Sequence, residues 1–119
     1  MFITKITSTV RGRTTQGAKR RYFPDGRLVA ELVLACGKGT VKDPAIYIKV
    51  YAREGLAQKA LDAIDMKGMN IEASGSLLVK EIEGEDGTSL ELDLDDVRKI
   101  KVFDRGDVLQ QVLTYEVVK

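Results

Sequence analysis

Residues 45 to 53, AIYIKVYAR, alternate between apolar and polar positions. A period of two predicts a strand with Ile46, Ile48, Val50 and Ala52 on a core face. Tyr47, Lys49, Tyr51 and Arg53 then share the opposite face. Similar patterning predicts strands over residues 2–13, 28–36 and 69–82, with 88–94 and 97–103 completing the sheet. In the second of these, Leu28, Ala30, Leu32, Leu34 and Cys36 point inward. Residues 54–66 change period, because Leu56, Ala57, Ala60, Leu61 and Ile64 fall on one helical stripe. Lys67 suits the negative end of that helix, and Gly68 suits a C-terminal cap.

Turn chemistry separates the elements. Residues 14–19 read as a polar loop around Gly17, and 37–44 as a second loop. Phe23-Pro24-Asp25-Gly26 is a turn, with Pro setting its own φ and Gly tolerating a positive one. Gly84-Glu85-Asp86-Gly87 is a hairpin tip. Gly75, inside a strand, predicts a bulge or sharp bend. Five short strands, with one helix between the third and fourth, predict an all-β domain with a single helix: a small closed barrel of the OB type. Residues 1–103 form that domain. Residues 104–119 form a C-terminal extension whose apolar, β-branched composition predicts order, as an added strand or an oligomer contact.

Composition narrows the chemistry. A chain of 119 residues with 44% apolar content is one globular domain able to bury a core. No apolar run reaches the roughly 20 residues of a membrane span, and the first ten residues alternate rather than forming a signal peptide's apolar stretch. The single cysteine, Cys36, excludes an internal disulfide and a thiolate-pair zinc site. Its strand parity makes it a buried, inert thiol, and the chain reads as cytoplasmic. Histidine is absent, so the commonest general base near neutral pH is missing. No cofactor, metal site or catalytic residue is expected.

The net charge of +1 conceals segregation. Residues 11–27 hold Arg11, Arg13, Lys19, Arg20, Arg21 and Arg27 against Asp25 alone. Residues 81–96 hold Glu81, Glu83, Glu85, Asp86, Glu91, Asp93, Asp95 and Asp96 with no cation. A polyanion responds to the first patch rather than to the sum. The face of residues 47–53 adds aromatic, cation, aromatic, cation in a row. Two rings along a strand can stack on successive bases while the cations follow a phosphate chain, which needs no base-specific contact. The same residues also suit a plain solvated strand.

Several short motifs, in order, resemble the bacterial single-stranded DNA-binding protein family. They are Arg21-Tyr22-Phe23-Pro24-Asp25-Gly26, then Val29-Ala30 and Leu34-Ala35, then Val50-Tyr51-Ala52 before Leu56-Ala57. Lys67-Gly68 and Ile71-Glu72 followed by Gly75 and Leu77 continue the series. The resemblance implies an OB fold, a homo-oligomer (a tetramer or a dimer) and sequence-tolerant binding of single-stranded DNA. The chain departs from that family where Ala45, Ile82 and Gly37-Lys38-Gly39-Thr40 stand at positions that are often aromatic. It also lacks the family's acidic tip ending in Phe, so tail-mediated recruitment of partners is not expected.

The leading expectation is therefore sequence-independent binding of single-stranded DNA in replication, recombination or repair. Arg11, Arg13, Arg21, Lys49, Arg53 and Lys80 would track phosphates. Tyr47 and Tyr51 would stack bases, with Tyr22 a further candidate beside the Pro24 turn. The alternative is a diverged OB module for protein interaction or assembly, of the primosomal type, that binds nucleic acid weakly. The acidic hairpin and the missing aromatics favour it. An enzyme is the weakest reading. Glu91, Asp93 and Asp95 alternate on one face and could hold a hard cation, but no nucleophile–base pair or phosphate loop accompanies them.

Overall fold

The computed structural model describes residues 3–104 and 107–115, with side chains from Ile6 onward. Phe2, and residues 105, 106 and 116–119 of the expected extension, lie outside the described residues, and with 116–119 goes half of the stretch on which the tail expectation rests. The elements run β1 (Ile3–Thr14), β2 (Lys19–Tyr22), β3 (Leu28–Cys36), β4 (Ile46–Arg53), α1 (Gly55–Ala63), β5 (Asn70–Gly84), β6 (Gly87–Asp104) and β7 (Val108–Thr114). They form one sheet in the order β1-β5-β6-β4-β3-β2, with β7 on β6. The end of β1 also pairs with β3, through Arg13 with Ala35 and Thr14 with Leu34.

The expected count of five strands is corrected to seven among the described residues, and the helix follows the fourth strand rather than the third. The extra early strand is β2. Its sequence, KRRY, carries no apolar alternation, and all four residues are exposed. Main-chain pairing with β3 alone makes it a strand. The last, β7, pairs along the second half of β6.

Residues 88–94 and 97–103, two segments within the expected five-strand order, run on as one continuous strand. The apparent break at Asp95-Asp96 is a bulge. Asp96 takes a φ of 51°, and the register with β5 shifts between Ser74 and Ser76. Gly75 sits at that crossing, where any Cβ would run into the carbonyl oxygen of Asp95. The bend lets one edge of β6 serve two partners. Asp93 and Leu94 pair with β4, and Lys99 to Asp104 pair with β7.

The core is Ala30, Leu32, Leu34, Val50, Ala52, Ile71, Ala73, Leu94 and Ile100, covered by Leu56, Ala57, Ala60 and Ile64. The helical stripe thus buries as the period requires. The helix is shorter than expected, and Lys67 and Gly68 do not cap it. Instead the Gly68 N–H donates to the Thr14 carbonyl oxygen at 2.8 Å. Thr14, itself buried, donates its hydroxyl to the Met66 carbonyl at 2.8 Å and accepts the Met69 N–H at 2.9 Å. The segment after the helix is therefore held by the end of β1. Ile46, expected in the core, is 52% exposed. It begins its strand opposite Cys36, past the end of the packed interior.

Candidate nucleic-acid interface

The registers place the candidate residues in rows across the outer face of the sheet, since directly paired residues project to one side. Arg13, Ala35 and Tyr47 make one row. Val33, Lys49, Asp93 and Leu78 make the next, and Lys19, Glu31 and Tyr51 another. Arg21, Val29 and Arg53 make the last. Beneath them, Ile48, Val50 and Ala52 are buried. Tyr47 is 60% exposed, while Tyr51 is half-buried. Burial, followed by the charges of Asp93 and Glu31, raises the Tyr51 phenol pKa, so its hydroxyl stays protonated.

Carboxylates hold most of the cations on this face. Lys49 Nζ lies 2.8 Å from Glu91, and Lys80 Nζ lies 2.9 Å from the buried carboxylate of Asp93. Arg53 pairs with Asp95 and stacks its guanidinium 4.6 Å from the centre of the Phe23 ring. Arg21 Nε meets Glu31 at 3.0 Å. The hydrogen bond to Glu91 raises the Lys49 pKa, and its counterpart lowers that of Glu91. Asp93 raises Lys80 in the same way. The carboxylates suggested by the sequence as a possible cation site are thus occupied by protein cations. Among the described residues no cluster of ligating groups suits a metal. Where both partners meet solvent, as in Lys49–Glu91 and Arg21–Glu31, such a pair is worth about 0–1 kcal/mol. The larger consequence of these pairs is that a phosphate reaching these cations must compete with a carboxylate already in place.

Arg13 and Lys19 differ from the cations at the centre of the face. Arg13 donates to the Gly37 carbonyl oxygen at 2.7 Å. Neither it nor Lys19 has a carboxylate partner among the described residues. Both flank β3 on the side away from β4. Their partners Ala35 and Glu31 are four residues apart along β3, roughly 13 Å.

A recess of about 270 Å³ opens at the centre of the face, lined by Phe23, Tyr51, Arg53, Leu78, Lys80, Asp93 and Asp95. It joins residues from the turn after β2 and from three strands.

A scan against protein-family models and a search of curated proteins found no match. Among solved structures, the chain is similar to a crystal structure of a small single-stranded DNA-binding protein from Streptomyces coelicolor. The TM-score is 0.60 at 19% identity, covering 81% of this chain and 92% of that one. The likeness is one of fold: a mostly β domain with a single helix, arranged like that of a single-stranded DNA-binding protein.

Two other candidates stand apart from the central group. Arg11 lies over the Phe103 ring at 4.1 Å and pairs with Asp107 at 3.1 Å, near the start of β7. Tyr22 is exposed on the opposite side of β2 from Lys19 and Arg21, and Arg20 reaches its hydroxyl at 3.4 Å. Of the positions that depart from the family pattern, Ala45 is half-buried and Ile82 is 44% exposed on the β5 arm. Sequence reasoning missed Lys19, Phe23, Asp93 and Asp95 as parts of this face. Lys19 was readable from the basic run. Phe23 and the carboxylates were not, because only pairing between distant strands brings them beside Tyr51.

Proposed function

We propose that the chain binds single-stranded DNA without regard to base order. Bases stack on Tyr47 and Tyr51, and phosphates run along the flank marked by Arg13 and Lys19. The observation that carries this reading is the outer row of β4, where two aromatic rings alternate with cations above a buried core. Stacking of this kind contributes about 1–3 kcal/mol per base and tolerates any sequence. The likeness in fold supports it, and so does the return of β1 to β3, which fits a closed OB barrel. We extend the reading to a homo-oligomer acting in replication, recombination or repair. The edge of β1 before residue 13 carries no partner strand among the described residues, and Ile6 is 49% exposed there. Light scattering should return a multiple of the 13.2 kDa chain mass; a monomer at micromolar concentration removes the oligomer.

The test of binding is a titration of oligo-dT and of duplex DNA at several salt concentrations. Preference for the single strand is expected, with a shallow salt slope because the central cations are already paired. Equal or tighter binding of duplex overturns the platform. A second reading rests on those same ion pairs: an OB module for protein interaction or assembly with weak nucleic-acid affinity. Binding to oligo-dT that is undetectable even at low salt would favour it.

A further inference from the structure

Arg13 belongs to two rows of the sheet. It stands opposite Ala35, and through Ala35 in line with Tyr47, and it also stands opposite Asn70 of β5. The outer face therefore continues past the rim onto a second wall, made by β1, β5 and β6. Register builds that wall from three rows on one side of the sheet. Arg13 and Asn70 align with Phe103, Arg11 and Glu72 with Lys101, and Thr9 and Ser74 with Lys99. The opposite side of the same strands carries the buried Val10, Ile71, Ala73, Ile100 and Val102. Neighbouring strands lie about 4.8 Å apart and neighbouring rows roughly 7 Å apart. The wall differs from the centre in charge. Its rows hold Arg11, Arg13, Lys99 and Lys101 against one carboxylate, Glu72. Lys99 is exposed and forms no ion pair among the described residues. Lys101 reaches Glu72 only at 3.9 Å. Arg11 lies over the Phe103 ring, and the carboxylate it meets, Asp107, is 95% exposed. Ion pairs open to water are worth little and weaken with salt. The hydroxyls of Thr9 and Ser74, 2.9 Å apart, share the row of Lys99 and add neutral donors.

We propose that this wall is a second phosphate track, which takes the backbone of the same single strand after it leaves Tyr47 and passes Arg13. This rests on the reading of the outer face as a single-strand binder and extends the path beyond that face. Arg11, which stands apart from the central group, gains a place here: it shares β1 with Arg13 and a row with Lys101. A phosphate at Lys99 or Lys101 displaces no close carboxylate, in contrast to one at Lys49 or Lys80. Phe103, the ring in these rows, is half-buried and carries Arg11, so the wall holds phosphates rather than bases. The ligand is a flexible chain. A duplex resists bending over about 50 nm and does not turn from the platform onto the wall of one small domain. Centre and wall thus separate by length: a short strand fills the platform, and a longer one reaches the wall.

The test compares the salt dependence of binding for oligo-dT of about 4 and about 16 nucleotides, the two ends of the range for one OB fold. In the parent the short strand should show the shallow slope of the centre. The longer strand should be steeper by about 1.4 or more, at roughly 0.7 for each phosphate held by Lys99 and Lys101. In Lys99→Ala/Lys101→Ala that excess should fall by about 1.4, while the slope for the short strand stays as in the parent. Lys99→Ala alone should remove about 0.7 and decides the question if the double variant does not fold. Equal slopes for the two lengths in the parent overturn the track. So does an excess that persists in the folded variant, since the added phosphates are then held elsewhere. The platform reading survives both results. A fall of the same size for both lengths also overturns the track, because the lysines then act on the platform. Failure to bind either strand removes both readings.

Discussion

The centre and the rim of the outer face carry cations of the same kind in opposite electrostatic settings. At the centre, Lys49, Arg53 and Lys80 each rest on a carboxylate of β6. At the rim, Arg13 and Lys19 form no ion pair among the described residues, and Glu31, the cross-strand neighbour of Lys19, is held by Arg21. A phosphate at the centre replaces one anion with another and releases few counterions. A phosphate at the rim gains an unshared cation. On the proposed reading, the face is divided between base contacts at the centre and phosphate contacts at its β1–β2 flank.

The largest expected effect lies under the face. Ile48 is 7% exposed, and Ile48→Ala should destabilise the fold by about 2–5 kcal/mol through a core cavity. Thermal melts measure this, and binding at a temperature where the variant is still folded should stay near that of the parent. Loss of binding in the folded variant would mean the core and the face are not separable, and the division of the face would lose its footing. Next comes Tyr51→Ala. It should weaken oligo-dT binding by about 1–3 kcal/mol, with a smaller fall in melting temperature because the ring is half-buried. A variant that melts early and binds normally would show that Tyr51 serves packing and not the centre's base contacts.

Replacing Arg13 and Lys19 together by Ala should lower the salt slope by about 1.4, at roughly 0.7 per phosphate. That slope amounts to about a 25-fold loss at 0.1 M salt relative to 1 M. The same double change at Lys49 and Glu91 should alter the slope little. If the two pairs of changes behave alike, the distinction between rim and centre is void. Glu91→Gln sharpens it from the other side. Releasing Lys49 should tighten binding a few-fold and steepen the slope by up to about 0.7.

The smallest effect is one of pH. Folding lowers the pKa of Glu91 from its ordinary 4.5, so the contribution of the Lys49 pair is complete above that value. It disappears as pH falls through the lowered pKa. Lys49 is raised from 10.5, so its contribution is complete below that and disappears as pH climbs through the raised pKa. Melts should show a shallow loss at both ends of this window. Acidification should also tighten oligo-dT binding while the fold persists, because protonating Glu91 frees Lys49. Binding that weakens at low pH in the folded protein would contradict the competition between carboxylate and phosphate.

Much of the fold is legible in the chain because periodicity and turn chemistry are local. The alternation of residues 46–53 separates Tyr47, Lys49, Tyr51 and Arg53 from the buried Ile48, Val50 and Ala52. The helical stripe from Leu56 to Ile64, the bend at Gly75 and the hairpin at Gly84 to Gly87 are equally local signals, and the structure contains all three. The β2 strand and the unbroken β6 were not legible, since backbone pairing makes the first and a bulge disguises the second. The charges are segregated along the chain, but that segregation does not survive folding. The parallel pairing of β4 with β6 sets Lys49 beside Asp93, which brings acids more than forty positions away onto the cations of the platform. Residue order determines which face a side chain takes, because the pleat repeats every two residues. Whether a cation there is available to a phosphate depends on its neighbours across the sheet, and only the tertiary structure decides those.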